Sequence, residues 1–249
     1  GTHVHGWFPM ATTVDYTATP TPDGFRDDGP HRAAHAPIYR TFTASDRDPM
    51  YTGAGDEERH SLVRVLYLTG FLIESFLEGE PFADVEQSIV LSASSKTAIG
   101  YAFAARQARG AGRHVPDLVG VTSPGNVEFV RALGLYDDVI TYDAVTSLPV
   151  RRSVVVDMAG AGSAVAAAHA HLGDHIAHSM IIGKSHHDDP GAMVTAGPQP
   201  ALFFAPTEAQ RLAAEARALL NRYLGASVEL TPDDPSREEA RKLLKKISR

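Results

Sequence analysis

The chain has 249 residues, 43% of them hydrophobic and 21% charged, proportions that suit a soluble globular protein with a sizeable core. Its formal net charge of −7 argues against nucleic acid as the main partner, and no apolar run reaches the ~18 residues of a membrane-spanning helix. It has no cysteine, which excludes disulfides, thiolate metal sites, iron–sulfur clusters and cysteine nucleophiles. The absence of cysteine fits a cytoplasmic protein, the location expected here, and residues 1–9 lack the basic-then-apolar pattern of a signal peptide.

Residues 1–55 are rich in Thr, Pro, Asp and His and read as the end of a β-rich unit followed by an extended crossover. Short apolar pieces over 3–14 suit one or two strands, Pro20, Pro22, Asp23 and Gly24 suit a turn, and Pro30, Pro37 and Pro49 bar a long helix. A helix is expected over 56–80, with Asp56, Glu57 and Glu58 at its start, a broad apolar face that includes Leu66, Phe71, Leu72 and Phe76, and Gly79 as its stop. From residue 86 strands and helices alternate. Strands are expected at 88–92, 118–122, 138–142, 153–157, 175–182 and 201–205, and helices at 96–109, 126–133 and 163–172. Continuous β-branched strands separated by single helices predict an α/β protein with a doubly wound, Rossmann-type parallel sheet. Helices are expected again over 207–224 and 236–249, each opened by a capping-box spacing, Thr207 to Gln210 and Ser236 to Glu239. The expected organisation is 1–55, the end of a β-rich substrate domain; 56–205, a dinucleotide-binding domain; and 206–249, C-terminal helices.

In such a sheet ligands bind beyond the carboxyl ends of the strands. The first strand of the alternating region runs into Ser92-Ala93-Ser94-Ser95-Lys96-Thr97 and then a helix. Small side chains let a phosphate approach amides at a helix N-terminus, the hydroxyls of Ser94, Ser95 and Thr97 add donors, and Lys96 adds charge. Gly100 and Ala104 are expected to let this helix pack closely on the sheet. The turn is not G-x-G-x-x-G. Ser95-Lys96-Thr97 also resembles the end of a Walker A loop, but Val90 and Ser95 stand where that loop needs glycine. The next strand ends at Thr122, Ser123 and Asn126, neutral donors where a NAD-binding unit places an acidic residue, so NADP is the expected cofactor. The competing view is a simple turn and helix cap.

The succession of a Val121-Thr122-Ser123 strand end, a helix ending in Leu133-Gly134, Asp138-Val139-Ile140-Thr141-Tyr142, Val155-Val156-Asp157-Met158-Ala159-Gly160 and Ile181-Ile182-Gly183 resembles the cofactor domain of the medium-chain dehydrogenase/reductase superfamily. Zinc-independent quinone and enoyl reductases carry a similar succession, and the sequence resembles a poorly characterised, zinc-independent branch whose glycine loop is replaced by Ser92-Ala93-Ser94-Ser95-Lys96-Thr97. The resemblance implies that Ser94, Ser95, Lys96 and Thr97 hold the pyrophosphate and that Thr122, Ser123 and Asn126 meet the adenosine ribose or its phosphate. It also implies that Tyr142 lies near the adenine, Ala159 and Gly160 near the nicotinamide ribose, and Gly183 and Lys184 beside the nicotinamide. Superfamily members carry an N-terminal chaperonin-10-like domain, of which only the last part is expected here, at 3–10, so the sequence is read as a fragment or processed form.

Zinc-free members need an acid to protonate the product. Tyr39 is the first candidate, with Arg40 or His31 orienting an anionic substrate, and Lys184, with His186, the second. The twelve histidines include His31 and His35, His169 and His171, His175 and His178, and His186 and His187, but no pair has convincing metal-ligand spacing. The function expected is therefore an NADPH-dependent, zinc-independent reductase or dehydrogenase acting on a small-molecule carbonyl or activated alkene. The alternatives are a Rossmann-type protein without redox activity, either a nucleotide-binding scaffold or a non-redox enzyme such as a lyase acting on an acyl substrate. The apolar edge strand at 200–205 is expected to be covered by a homodimer that continues the sheet.

Overall fold

The computed structural model describes residues 17–35, 37, 40–47, 53, 56–183, 193–226 and 242, in two compact units that part between Phe203 and Phe204. The first strands form a small antiparallel meander: β1 (Ala18–Thr21), β2 (Gly24–Asp27) and β3 (Thr41–Thr43). The turn cluster lies where the prolines predict, with Pro22 and Asp23 between β1 and β2. Phe25 and Phe42 stack across β2 and β3 with ring centroids 4.7 Å apart. Asp27 is fully buried, and its Oδ1 accepts from the amides of Thr17 (3.1 Å) and Gly29 (3.0 Å). The strands expected over 3–14 lie outside the described residues.

The main sheet has six strands, all parallel: β4 (Gln87–Leu91), β5 (Asp117–Thr122), β6 (Asp138–Thr141), β7 (Ser153–Asp157), β8 (Ile176–Ile181) and β9 (Ala201–Leu202). Their order is β6-β5-β4-β7-β8-β9, the doubly wound arrangement. β4 and β7 are buried at every position, which is why they read as continuous apolar runs rather than alternating ones. Side chains of period two divide the core between the sheet's faces. Val90, Leu118, Val139, Val156 and Met180 pack on one side with Ile73 of α1 (Asp56–Leu77), Ala98, Tyr101 and Ala105 of α2 (Lys96–Gly110) and Val130 of α3 (Val127–Ala132). Ile89, Leu91, Val119, Val121 and Val155 pack on the other with Val165, Ala168 and Leu172 of α4 (Gly162–Leu172).

Several boundaries differ from expectation. α1 ends at Leu77, and Glu80–Phe82 forms a separate 3-10 turn after Gly79. The helix expected at 126–133 begins with a 3-10 turn at Pro124–Asn126, because Pro124 and Gly125 favour a tight turn over a helical one. Gly100 does not serve the sheet. A Cβ there would lie 2.9 Å from the Cα of Tyr67, and one on Gly70 would lie 2.3 Å from the amide nitrogen of Tyr101, so the two glycines let α1 and α2 touch backbone to backbone. The apolar face of α1 is only partly used: Leu72 and Ile73 are buried while Val65, Leu68 and Phe71 stay exposed, Phe71 meeting Phe103 of α2 edge-on.

The strand expected over 201–205 stops at Leu202, and α5 spans Ala205–Ala226. Pro206 explains the early helix start, since proline suits a first helical turn and donates nothing to a strand ladder. Thr207 therefore lies inside the first turn rather than at its cap. Within the second unit Arg211 bonds both Glu208 and Glu215 along α5. The helix expected over 236–249 lies outside the described residues apart from Lys242. No helix of the described residues is long and apolar enough to cross a membrane.

Candidate functional site

Strand order reverses between β4 and β7, and the crevice beyond their carboxyl ends is where an open α/β sheet binds its ligands. The turn leaving β4 begins at Ser92, the only non-glycine residue with positive φ (60°) among the described residues. Ala93 donates its amide to the Val121 carbonyl on β5 (3.0 Å), and the Ser95 amide donates to the Ser92 carbonyl (2.9 Å). Ser95 is the N-cap of α2, its hydroxyl accepting from the Ala98 amide at 3.2 Å. The amides of Ser94, Lys96 and Thr97 engage no acceptor among the described residues, so the start of α2 keeps open donors. Lys96 is exposed and Thr97 buried.

The tip of β5 meets this turn. The Ser94 hydroxyl accepts from the side chains of Thr122 (3.4 Å) and Asn126 (3.2 Å), and Asn126 also donates to the Ser123 hydroxyl (3.1 Å). Ser94, Thr122, Ser123 and Asn126, read from the sequence as two separate groups, thus form one neutral polar cluster. Residues 122–126 contain no acidic side chain.

At the end of β7, Asp157 is buried and its Oδ1 accepts from three successive amides, those of Ala159 (3.2 Å), Gly160 (3.0 Å) and Ala161 (3.1 Å). This carboxylate shapes the loop that holds Ala159 and Gly160 and sits at the entry to α4. The end of β8 lies against the same loop. The Ile182 amide donates to the Asp157 carbonyl (2.8 Å), and a Cβ on Gly183 would come within 2.9 Å of the Met158 carbonyl oxygen. Ala159, Gly160 and Gly183 are therefore neighbours. Tyr39 and Lys184, the two candidate acids, lie outside the described residues.

Two tyrosines complete the turn: Tyr136, which the sequence reading did not single out, and Tyr142, which it expected near the adenine. Tyr136 donates its hydroxyl to the Ala93 carbonyl at 3.0 Å. It reaches there across Gly120, where a Cβ would lie 3.0 Å from the Tyr136 ring and 3.1 Å from the Ala93 Cβ. Burial pushes the Tyr136 phenol well above its ordinary pKa, so it stays a hydrogen-bond donor. The Tyr142 hydroxyl lies 3.0 Å from the Ser92 Oγ, on the turn itself. The available signal was Gly120 in the middle of a β-branched strand, a position that marks close approach of another group.

His169, His171 and His178 are held by structural contacts. His169 is fully buried between the Ala196 carbonyl (2.8 Å) and the Ser179 hydroxyl (2.9 Å), and His171 meets the Leu148 carbonyl (2.7 Å). His178 packs against Phe76 and Phe82, and burial lowers its pKa. Among the described residues no three histidine, aspartate or glutamate side chains gather as a metal-holding group.

These features define a Rossmann-type α/β domain with a candidate ligand crevice at its switch point. The chain belongs to the family described as "Protein of unknown function (DUF2855)", whose model matches residues 1–227. Several solved structures are similar to this chain at low identity. A putative NADPH:quinone reductase from Mesorhizobium loti is 16% identical over 76% of this chain and 51% of that one, with a TM-score of 0.45. The CurK enoyl reductase is 18% identical over 67% and 48%, with a TM-score of 0.43. A mutant form of enoyl thioester reductase from Candida tropicalis is 13% identical over 82% and 52%, with a TM-score of 0.41. Alignments with such structures span from 39% to 52% of the matched chains. No curated protein sequence matches.

Proposed function

We propose that this protein binds NADPH in the crevice beyond β4 and β7. In this reading it is a zinc-independent reductase or dehydrogenase that moves hydride between the nicotinamide and a small-molecule carbonyl or activated alkene. The observation that carries the reading is the joining of Ser94, Thr122, Ser123 and Asn126 into one neutral cluster beside the open amides of α2. Open amides at a helix N-terminus suit a pyrophosphate. A strand tip with hydroxyl and amide donors and no carboxylate suits a ribose 2′-phosphate, since a carboxylate there would repel it.

When bound, the nicotinamide supplies or accepts the hydride. The amides of Ser94, Lys96 and Thr97 would hold the pyrophosphate, Ser95 would keep α2 capped beneath it, and Lys96 would add positive charge. Thr122, Ser123 and Asn126 would hold the ribose phosphate, with Tyr142 flanking the turn. Ala159, Gly160 and Gly183, lacking bulk, would leave room for the nicotinamide end. Tyr39 or Lys184 would hold the proton delivered to the product. The meander β1–β3 would be the end of a β-rich substrate domain. The exposed edge at Leu202, 73% accessible, would pair with a second copy as a homodimer. The location proposed is the cytoplasm.

One observation favours a second reading, a Rossmann-type protein without redox activity. The turn has no glycine before Gly100, and the Ser95 hydroxyl is already engaged by Ala98. NADPH consumption with a panel of enones and aldehydes separates the two. Turnover, with the KM for NADPH raised about two- to fivefold by Lys96→Ala, as fits an exposed charge, supports the reductase. Cofactor binding without turnover across the panel favours the second reading.

A further inference from the structure

The turn that receives the pyrophosphate in this reading lacks the glycines that normally shape such turns, yet it adopts a glycine-like conformation. Ser92 has φ 60°, in a region that side-chain-bearing residues rarely enter. Two phenols grip it. β6 lies two strands from β4 in the sheet, about 9.6 Å away at ordinary strand spacing, a distance only a long side chain crosses. Tyr136, just before β6, passes over Gly120 and donates to the Ala93 carbonyl at 3.0 Å. Tyr142, just after β6, meets the Ser92 hydroxyl at 3.0 Å. One short strand therefore carries, at its two ends, the groups that hold two consecutive residues of the turn. Ser92 is 7% exposed and Tyr136 8%, so water is a poor substitute for either bond.

We propose that Tyr136 and Tyr142 are positioning residues for the dinucleotide pyrophosphate: through Ala93 and Ser92 they impose on a serine-rich turn the shape that glycine imposes elsewhere. The inference rests on the dinucleotide reading above. The tyrosine hydroxyls bond Ser92 and Ala93 rather than Ser123 or Asn126 at the adenosine end. Loss of either hydroxyl should weaken contacts to the pyrophosphate and spare those to the ribose phosphate. Glycine takes positive φ without support, so Ser92→Gly should make the Tyr142 hydroxyl dispensable.

The test is a fluorescence titration of wild type, Tyr136→Phe, Tyr142→Phe, Ser92→Gly and the Ser92→Gly/Tyr142→Phe double variant, with whichever of NADPH or NADH the wild type binds. Each Tyr→Phe variant should bind that dinucleotide about three- to tenfold more weakly, the size of one hydrogen bond. Adenosine 2′-monophosphate, which has no pyrophosphate, should bind these variants as it binds the wild type. In the Ser92→Gly background the Tyr142→Phe loss should shrink to under about twofold. Unchanged dinucleotide affinity in both Tyr→Phe variants, equal losses for the two ligands, or no rescue by Ser92→Gly would overturn the positioning role while leaving the dinucleotide reading intact. A folded wild type that binds neither dinucleotide would overturn both.

Discussion

Replacing Gly120 by alanine sets a methyl group between two buried neighbours that cannot easily yield. Its Cβ would lie 3.0 Å from both Cγ and Cδ1 of Tyr136 and 3.1 Å from the Cβ of Ala93. Carbon atoms in comfortable contact stand about 3.5–4.0 Å apart, so each side is short by roughly 0.4 Å or more. Tyr136 is 8% exposed and Ala93 fully buried, so relief must come from displacing the ring, and the ring carries the hydroxyl that bonds the Ala93 carbonyl. Overpacking of this kind costs about 1–3 kcal/mol. At about 2–4 °C per kcal/mol for a chain of this size, the melting temperature in differential scanning calorimetry should fall by about 2–12 °C. Gly110→Ala is the control: nothing lies within 4 Å of its Cβ, and it should be neutral or stabilising by up to ~1 kcal/mol. A Gly120→Ala protein that melts at or above the wild-type temperature would refute the packing of Tyr136 across β5.

Asp157→Ala leaves three amides without their shared acceptor and should cost about 2–4 kcal/mol, read as a lower urea midpoint with an unchanged slope. The Asp28 carboxyl is held down to about 2 from 3.8, chiefly by its hydrogen bonds from Arg26. A depressed folded pKa stabilises above the unfolded value and loses that effect as pH falls from near 4 to about 2; carboxyl NMR should give a midpoint near 2, moving toward 3.8 in Arg26→Gln. Tyr101 runs the opposite way. Burial raises its phenol to about 12, so its contribution is intact below pH 10 and declines between 10 and 12, and Tyr101→Phe should flatten the alkaline fall in melting temperature over that window.

The sheet was legible because its signal is local. Ser-Val-Val-Val-Asp at Ser153–Asp157 is buried at every position, and the run alone marks both ends of the strand. The 201–205 run is equally apolar, but Pro206 two residues past Phe204 favours a helix start, and the strand ends at Leu202. The polar residues at the strand ends stand out in the sequence as turn residues, and the side chains of Ser94, Thr122, Ser123 and Asn126 meet in the structure. Their support was not. Gly120 gains its meaning only when Tyr136, sixteen positions on, is laid across it, and Gly70 gains its meaning only against Gly100. Such pairings depend on which strands and helices become neighbours, and no local periodicity encodes that.

The central claim is that the crevice takes a dinucleotide through a neutral β5 tip suited to a 2′-phosphate. The direct measurement is a parallel titration of NADPH and NADH against wild type and Ser123→Asp. Wild type should bind NADPH more tightly, and the new carboxylate should weaken NADPH while sparing or improving NADH, inverting the preference. Wild-type protein that is folded and binds neither cofactor, or a Ser123→Asp variant that leaves the ratio of the two affinities unchanged, would contradict the account.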